Sequence, residues 1–243
     1  MALSPPSDQD ELTITNGLRA FTDEYPYERW PILRFVAEAA EAIPAGARVA
    51  DVGAGMAPYA ELFAHVDYVT IDWAQSLHDN REIVSIVASA ESVPEPDASF
   101  DTILLTQVLE HVPDPPAVLR EMHRLLRPGG RLFLTVPLAW ELHELPHDYF
   151  RHTEPGLRRM LGDAGFDEVD IRARNDCFST LAQLVLNARW TMGRADDGLD
   201  RQRAEAVALL EELGPKLAAL APLDASWTFP LGYAATATRP AHG

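Results

Sequence analysis

Cysteine and lysine are almost missing from this chain. The single cysteine, Cys177, excludes an intrachain disulfide. The single lysine, Lys216, leaves one candidate for lysine Schiff-base chemistry, in a segment patterned as a surface helix. No apolar run approaches the roughly 18 residues of a membrane span. Residues Met1 to Asp10 carry neither the basic region nor the apolar stretch of a signal peptide, so a cytoplasmic location is expected. Positive charge is scarce as well: 20 Lys and Arg face 37 Asp and Glu, a formal net charge of −17. A surface that acidic repels phosphate backbones and anionic lipid, which argues against nucleic acid as substrate. What is present is enough for a core. Hydrophobic residues make up 47% and charged residues 23% of 243, which excludes disorder and suits one α/β domain with extra helical cover.

Along the chain, residues 1–15 read as a mobile arm. Tyr25, Tyr27 and Trp30 lead into a helix from Pro31 to Ile43, ended by Pro44-Ala45-Gly46. From Ala47 onward, short apolar runs alternate with helical patterns. Strands are expected at 48–52, 68–72, 83–88, 100–105 and 131–136, with helices at 58–64 and 115–126 and a sharp turn at Arg127-Pro-Gly-Gly130. Thr153 reads as the N-cap of a helix ended by Gly165. A sixth strand follows at 166–172. Helices at 177–192 and 201–220, separated by a turn at 196–198, precede a last strand at 233–238. Strands alternating with helices mean a parallel sheet covered on both faces. The expected division is an N-terminal arm and lid helix over 1–44, then one domain over 45–243 with a helical insertion at about 176–222. That insertion walls a pocket or forms the face of a homodimer.

The segment Val49-Ala-Asp-Val-Gly-Ala-Gly-Met-Ala57 ends the first strand, where an open α/β sheet binds its ligand. Glycine lets the backbone approach that ligand closely, and the following helix offers its N-terminal N–H groups. A nicotinamide-binding fold also has a glycine-rich turn, with an acid about 20 residues later, a place Asp72 fills. Three details separate the readings. Asp51 on the strand suits a ligand ammonium better than a pyrophosphate. Asp51-x-Gly53-x-Gly55-x-Ala57 lacks the full GxGxxG spacing. Leu104-Leu-Thr-Gln-Val-Leu-Glu-His-Val-Pro113 follows the fourth strand, and Leu126-Arg-Pro-Gly-Gly130 precedes the fifth.

With these motifs in order, the sequence resembles the class I S-adenosylmethionine-dependent methyltransferases of the small-molecule type called type 11, over about residues 45–175. The resemblance implies a Rossmann-like seven-stranded sheet in the order 3-2-1-4-5-7-6 with the last strand antiparallel. It implies S-adenosylmethionine as cofactor. Gly53, Ala54 and Gly55 would pass beneath its methionine part, with Asp51 near the amino group. Asp72 would accept from the ribose hydroxyls, and Trp73 would lie beside adenine. Ala90 and Glu91 fall in the adenine-reading loop, where Ser89 replaces the usual acid. Gln107 and Val108 would line the methyl side.

A second cluster, Trp140-Glu-Leu-His-Glu-Leu-Pro-His-Asp-Tyr-Phe-Arg-His152, follows the fifth strand. The sulfonium is already electrophilic, so such a loop mainly aligns the acceptor and, for a hydroxyl, removes a proton. Histidine suits that step near neutral pH. His147 is the first candidate base, with His143 and His111 behind it and Asp148 as an orienting group. Tyr25, Tyr27, Trp140, His143, Tyr149 and Arg151 are candidates for acceptor binding. The resemblance implies a small-molecule acceptor, a hydroxyl of a sugar, glycolipid precursor or natural product. Alternatively, some of Glu141, His143, His147, Asp148 and His152 hold a divalent metal that binds a substrate oxygen. The bland reading makes them loop hydrogen-bonders. Two further alternatives are a fold relative that binds the cofactor without transferring methyl, and a nicotinamide-dependent oxidoreductase, which would lack a Tyr-x-x-x-Lys pair here.

Overall fold

The apolar runs come together as a single seven-stranded sheet in the computed structural model, which describes residues 14–75, 82–192, 199–226 and 228–241. The strands are β1 (Arg48–Val52), β2 (Asp67–Asp72), β3 (Ile86–Val87), β4 (Phe100–Thr106), β5 (Leu126–Pro137), β6 (Asp167–Ala173) and β7 (Gly232–Thr238). Their order is β3-β2-β1-β4-β5-β7-β6, as expected. Pairing is parallel from β3 to β5, and β7 runs antiparallel to β5, from Arg131 opposite Thr238 to Pro137 opposite Gly232. The central strands are buried on both faces, which explains their unbroken apolar runs.

The helices are α1 (Asn16–Glu24), α2 (Pro26–Ala42), α3 (Pro115–Leu125), α4 (Glu154–Asp163), α5 (Cys177–Thr191) and α6 (Asp200–Ala218). The core of the sheet collects Val52, Ile71, Phe100, Ile103 and Leu105 from strands with Val118, Leu119, Met122 and Leu125 from α3. These α3 residues recur at helical spacing on one face, and that is the face the helix buries. The chain divides into two compact units. One is Ile32–Arg172 with Gly232–Gly243 and holds the sheet; the other is Met1–Pro31 with Ala173–Leu231 and is helical. Among the described residues, no helix is long and apolar enough to cross a membrane.

Several elements differ from the sequence reading. Helix α1 was not expected; Thr15 caps it by accepting from Leu18 N–H at 3.3 Å. Helix α2 starts at Pro26 and carries Pro31 inside it. Proline removes the donor to the carbonyl four residues back, which is that of Tyr27. Asn175 Nδ2 donates to that oxygen at 2.6 Å instead. The helix expected at 58–64 is a short 3-10 turn, Ala60–Phe63. Ala57 adopts a left-handed φ of 47°, and bonds spanning three residues follow it, so no α-helix begins there. The third strand shrinks to Ile86–Val87. The turn expected at Arg127–Gly130 lies inside β5 as a bulge: Phe100 pairs with Leu126, and Thr102 with Arg131. Backbone bonds between Gly129, Gly130 and Arg239 continue the ladder through it. The turn at 196–198 and most of the N-terminal arm lie outside the described residues.

Candidate active site

The floor of the site is built where β1 ends. Gly53 has φ 73°, and a Cβ there would come within 2.3 Å of Val108 Cγ2, so only glycine lets the turn lie against the β4 end. Gly53 N–H and Ala54 N–H both donate to Ile71 O, at 2.8 and 3.2 Å. At the end of β2, Asp72 accepts from Gly55 N–H at 3.0 Å and Trp73 N–H at 2.8 Å. Two backbone donors thus orient its carboxylate.

Around this floor lies an open cavity of about 790 Å³, counted with the solvent space at its mouth. It is lined by Asp72, Trp73, Ala88, Ser89, Ala90 and Val112, by Val52, Gly53, Gly55, Gln107 and Val108, and by His111, Glu144 and His147. Gln107 takes a left-handed φ of 55°, a costly conformation for its residue type. Its amide Nε2 donates to Thr135 Oγ1 at 2.9 Å, which leaves the amide oxygen as the acceptor it offers.

Three of the expected cofactor residues are not in the lining. Ala54 is buried in the floor. Glu91 N–H donates to Ser89 Oγ at 3.3 Å, outside the wall. Asp51 is buried and accepts from Tyr68 Oη at 2.5 Å. Burial pushes the Asp51 carboxyl up to about 6; the Tyr68 hydrogen bond opposes this, and the Asp72 charge adds to it. Burial and the Asp51 carboxylate together drive the Tyr68 hydroxyl well above the usual phenol range.

His111, His143 and His147 form a histidine cluster beside Trp73. His111 sits in a 3-10 turn, Leu109–His111, just after β4. Its Nδ1 lies 2.7 Å from His147 O. A carbonyl only accepts, so Nδ1 carries the hydrogen and Nε2 of the neutral ring carries a lone pair. Burial lowers the His111 pKa, although the His147 carbonyl and the Glu144 charge both oppose that shift. Nε2 lies 3.9 Å from both Glu110 Oε1 and Glu144 Oε2. His147 lies edge-on to Trp73, ring centroids 4.9 Å apart, and its Nδ1 is 3.1 Å from Tyr149 Oη.

The loop carrying these groups is fastened from within. Asp148, its side chain fully buried, receives Arg151 at 2.6 and 2.8 Å and His143 N–H at 3.0 Å. Arg151 holds the Asp148 carboxyl well below the usual range, against the effect of burial. The guanidinium also reaches the carbonyls of Trp140, Glu141 and Phe150. Arg151 and Asp148 therefore shape the loop and do not line the cavity. Asp148 lies beside the His143 ring, 3.4 Å from Nδ1, rather than beside His147.

The five residues weighed as metal ligands do not form one site. Glu141 gives its carbonyl to His143 Nδ1 and Arg151. His152 is buried against Phe150, and burial lowers its pKa. A different group converges: one ligand atom each from Glu110, His111 and His143, all within 4.8 Å of one another. His143 joins it through a loop that packs its ring 4.7 Å from that of His111. The sequence reading paired His143 with its near neighbours, and Glu144 drew no notice at all.

Tyr25 and Tyr27 belong to the helical unit. The Tyr25 ring lies under Arg29, 4.6 Å from its guanidinium carbon. Tyr27 N–H donates to Gln183 Oε1, and burial raises its hydroxyl pKa. Tyr149 is exposed and donates its N–H to Glu110 O at 2.8 Å; Trp140 is half-buried.

Residues 25–171 match a family model described as a methyltransferase domain. The ubiquinone biosynthesis O-methyltransferase of Xanthomonas oryzae pv. oryzae (strain PXO99A) is 36% identical over 127 residues, covering 46% of this chain and 53% of that protein. The chain thus spans about half the length of the curated relatives it matches. Among solved structures, Haemonchus contortus phosphoethanolamine N-methyltransferase 2 in complex with S-adenosyl-L-methionine superposes with a TM-score of 0.57 at 16% identity, over 94% of this chain and 61% of that one. The cyclase SpnF superposes with a TM-score of 0.56 at 21% identity, over 87% and 82%. Identities this low carry the fold and nothing about the reaction.

Proposed function

The chain belongs to the methyltransferase-domain family, among the class I S-adenosylmethionine-dependent methyltransferases, and on that premise we propose that it methylates a hydroxyl of a small, uncharged acceptor with His111 as general base. The cavity fits the cofactor on its own geometry. Gly53 and Gly55 line it at the end of β1, and Asp72 is a carboxylate set by two backbone donors at the cavity wall. Asp72 would hold the ribose hydroxyls, the small residues Ala88 to Ala90 with Trp73 and Val112 the adenine, and Gly53, Gly55, Gln107 and Val108 the methionine side. When bound, S-adenosylmethionine supplies an electrophilic methyl group.

The chain's own task is alignment and proton removal. The contact that carries the reading is His111 Nδ1 to His147 O, 2.7 Å. It fixes the tautomer with Nε2 free to take the acceptor's hydroxyl proton. As His111 gains that proton, the Glu144 carboxylate, 3.9 Å from Nε2, favours the imidazolium. His147 helps through its backbone, so the order of candidates given by the loop's sequence is reversed. Oxygen as the attacking atom is supported by the O-methyltransferase relatives. An uncharged acceptor is supported by the lining: it includes Asp72 and Glu144 but no Arg or Lys. Arg151, the nearby cation, is committed to Asp148 and three carbonyls. Neutral sugars, glycolipid precursors and hydroxylated natural products are the classes to screen.

Incubating the chain with S-adenosylmethionine and such a panel, with mass detection of one added methyl group, tests the proposal. His111→Ala is expected to lower kcat about 10²–10⁴-fold while S-adenosylhomocysteine still binds. Near wild-type turnover in His111→Ala would sink the base assignment. Cofactor binding with no methyl product on any acceptor would favour the non-catalytic alternative.

The convergence of Glu110, His111 and His143 favours one second reading, in which a divalent cation there binds the substrate oxygen. It competes with the first, because the same His111 Nε2 would be the ligand atom. Turnover abolished by chelator and restored by a divalent cation selects the metal reading; turnover indifferent to chelator selects the base.

A further inference from the structure

The segment after β3 gives Ala88, Ser89 and Ala90 to the cavity wall, yet side chains that small hold little. Its near end is tied by Ala88 N–H donating to Asp72 O at 2.9 Å, and Ser92 N–H turns back to Ser89 O at 3.0 Å. Its far end is held from α3. Val93 N–H donates to Glu121 Oε1 at 2.7 Å, and Val93 O accepts from Arg124 Nη2 at 3.1 Å. Arg124 Nη1 reaches Glu95 O at 2.9 Å and Asp97 Oδ1 at 2.7 Å. Glu121 and Arg124 also bind each other twice, at 2.8 and 2.7 Å. One guanidinium thus spans two backbone carbonyls and two carboxylates. Its planar fork of fixed donors is suited to that, and a lysine ammonium is not.

This arrangement exceeds what an i,i+3 surface pair does for its own helix. Both the N–H and the carbonyl of Val93, the residue directly after the Ser89–Ser92 turn, are bonded to the same pair. Neither Glu121 nor Arg124 lines the cavity.

We propose that Glu121 and Arg124 are positioning residues for the nucleoside end of the cofactor, clamping residues 88–97 from α3 in the conformation that binds it. The proposal rests on the cofactor assignment above. Without the clamp, the segment samples other conformations in the free protein. Binding must then order it, and apparent affinity falls with the competent fraction. The acceptor end, with its own fastening, is unaffected once cofactor is bound.

The test is calorimetric binding of S-adenosylhomocysteine to the full chain in four variants, with backbone amide exchange of the cofactor-free proteins. Glu121→Ala and Arg124→Gln are expected to weaken binding about tenfold, about 1.4 kcal/mol, and to speed exchange across residues 88–97. Arg124→Lys keeps the charge and loses the fork, so a smaller weakening is expected. It also carries the test should either other variant fail to fold. Leu161→Ala removes a fully buried side chain elsewhere in the same core. It should lower thermal stability and leave affinity unchanged at a temperature where it is folded. Affinities within twofold of wild type in the clamp variants, or an equal loss in Leu161→Ala, overturn the proposal. A wild-type chain that does not bind S-adenosylhomocysteine overturns the cofactor assignment, and the clamp with it.

Discussion

The two segments that frame the cavity, residues 88–97 and the 140–152 loop, are fastened by the same chemistry drawn from different places. At the nucleoside end, Arg124 and Glu121 grip the loop from a core helix, across 27 to 31 residues of chain. At the acceptor end, Arg151 and Asp148 lie inside the loop they grip, and Arg151 reaches no further than 11 residues. The side chains differ as well. Residues 88–90 offer only small side chains and Asp72 is the one charge on that wall, whereas the acceptor loop carries several acids and exposed apolar residues such as Leu142 and Leu145. One end is part of the scaffold. The other is a self-supporting loop placed on it, the arrangement that lets recognition vary while the scaffold stays fixed.

The sharpest way to break this comparison is Asp148→Asn. The Asp148 side chain is fully buried and Arg151 mostly so, and removing one charge of a buried pair costs about 3–4 kcal/mol. Chemical denaturation should show that loss. Turnover should fall with it, because the His147 carbonyl that sets the His111 tautomer sits next to Asp148. S-adenosylhomocysteine affinity should stay within about twofold of wild type, since the nucleoside end has its own clamp. Loss of cofactor affinity in this variant would show that the two ends are one unit.

The difference between the ends also marks how far the sequence could be read. The parallel strands and the Gly53, Gly55 and Asp72 positions were legible as local patterns at strand ends, whereas the strand order was legible only through the family resemblance those motifs carry. The grouping of His143 with Glu110 and His111 was not, because it joins segments more than 30 residues apart through a loop with no regular period. Nor was the extension of α2 ahead of Pro31, back to Pro26, since the donor that makes a proline inside the helix tolerable comes from Asn175. The candidate base moved from His147 to His111 for the same reason. Residue type named both, and only a carbonyl contact distinguishes them.

A middle-sized effect is expected on the scaffold side at Asp51. Its folded pKa is raised to about 6, mainly by burial, above the roughly 3.9 of an unfolded aspartate. A carboxyl raised on folding favours the native state at low pH, and that advantage is lost as pH rises from about 4 through about 6. Asp51→Asn never ionises and keeps an acceptor for Tyr68. Its stability should therefore exceed wild type at pH 8 relative to pH 4, by something on the order of 2–3 kcal/mol. Denaturant midpoints measured at both pH values check this. Parallel pH dependence in the two proteins would refute it.

The smallest effect belongs to the acceptor side and separates a base from a bystander. Burial lowers the His111 pKa below 6.5, and the Glu144 carboxylate, 3.9 Å from Nε2, partly restores it by favouring the imidazolium. If His111 must be neutral to accept the hydroxyl proton, kcat/KM rises with pH along a limb set by that pKa. Glu144→Gln removes a charge that supports protonation, so the limb should move to lower pH. At pH 8 the same variant should be slower than wild type, because the imidazolium formed in the reaction has lost the Glu144 carboxylate beside Nε2. A limb that stays in place, or moves to higher pH, would place the titrating group elsewhere in the loop. His147 would then be the next histidine to replace, and the comparison would need a base held by Tyr149 instead of one held by a carbonyl.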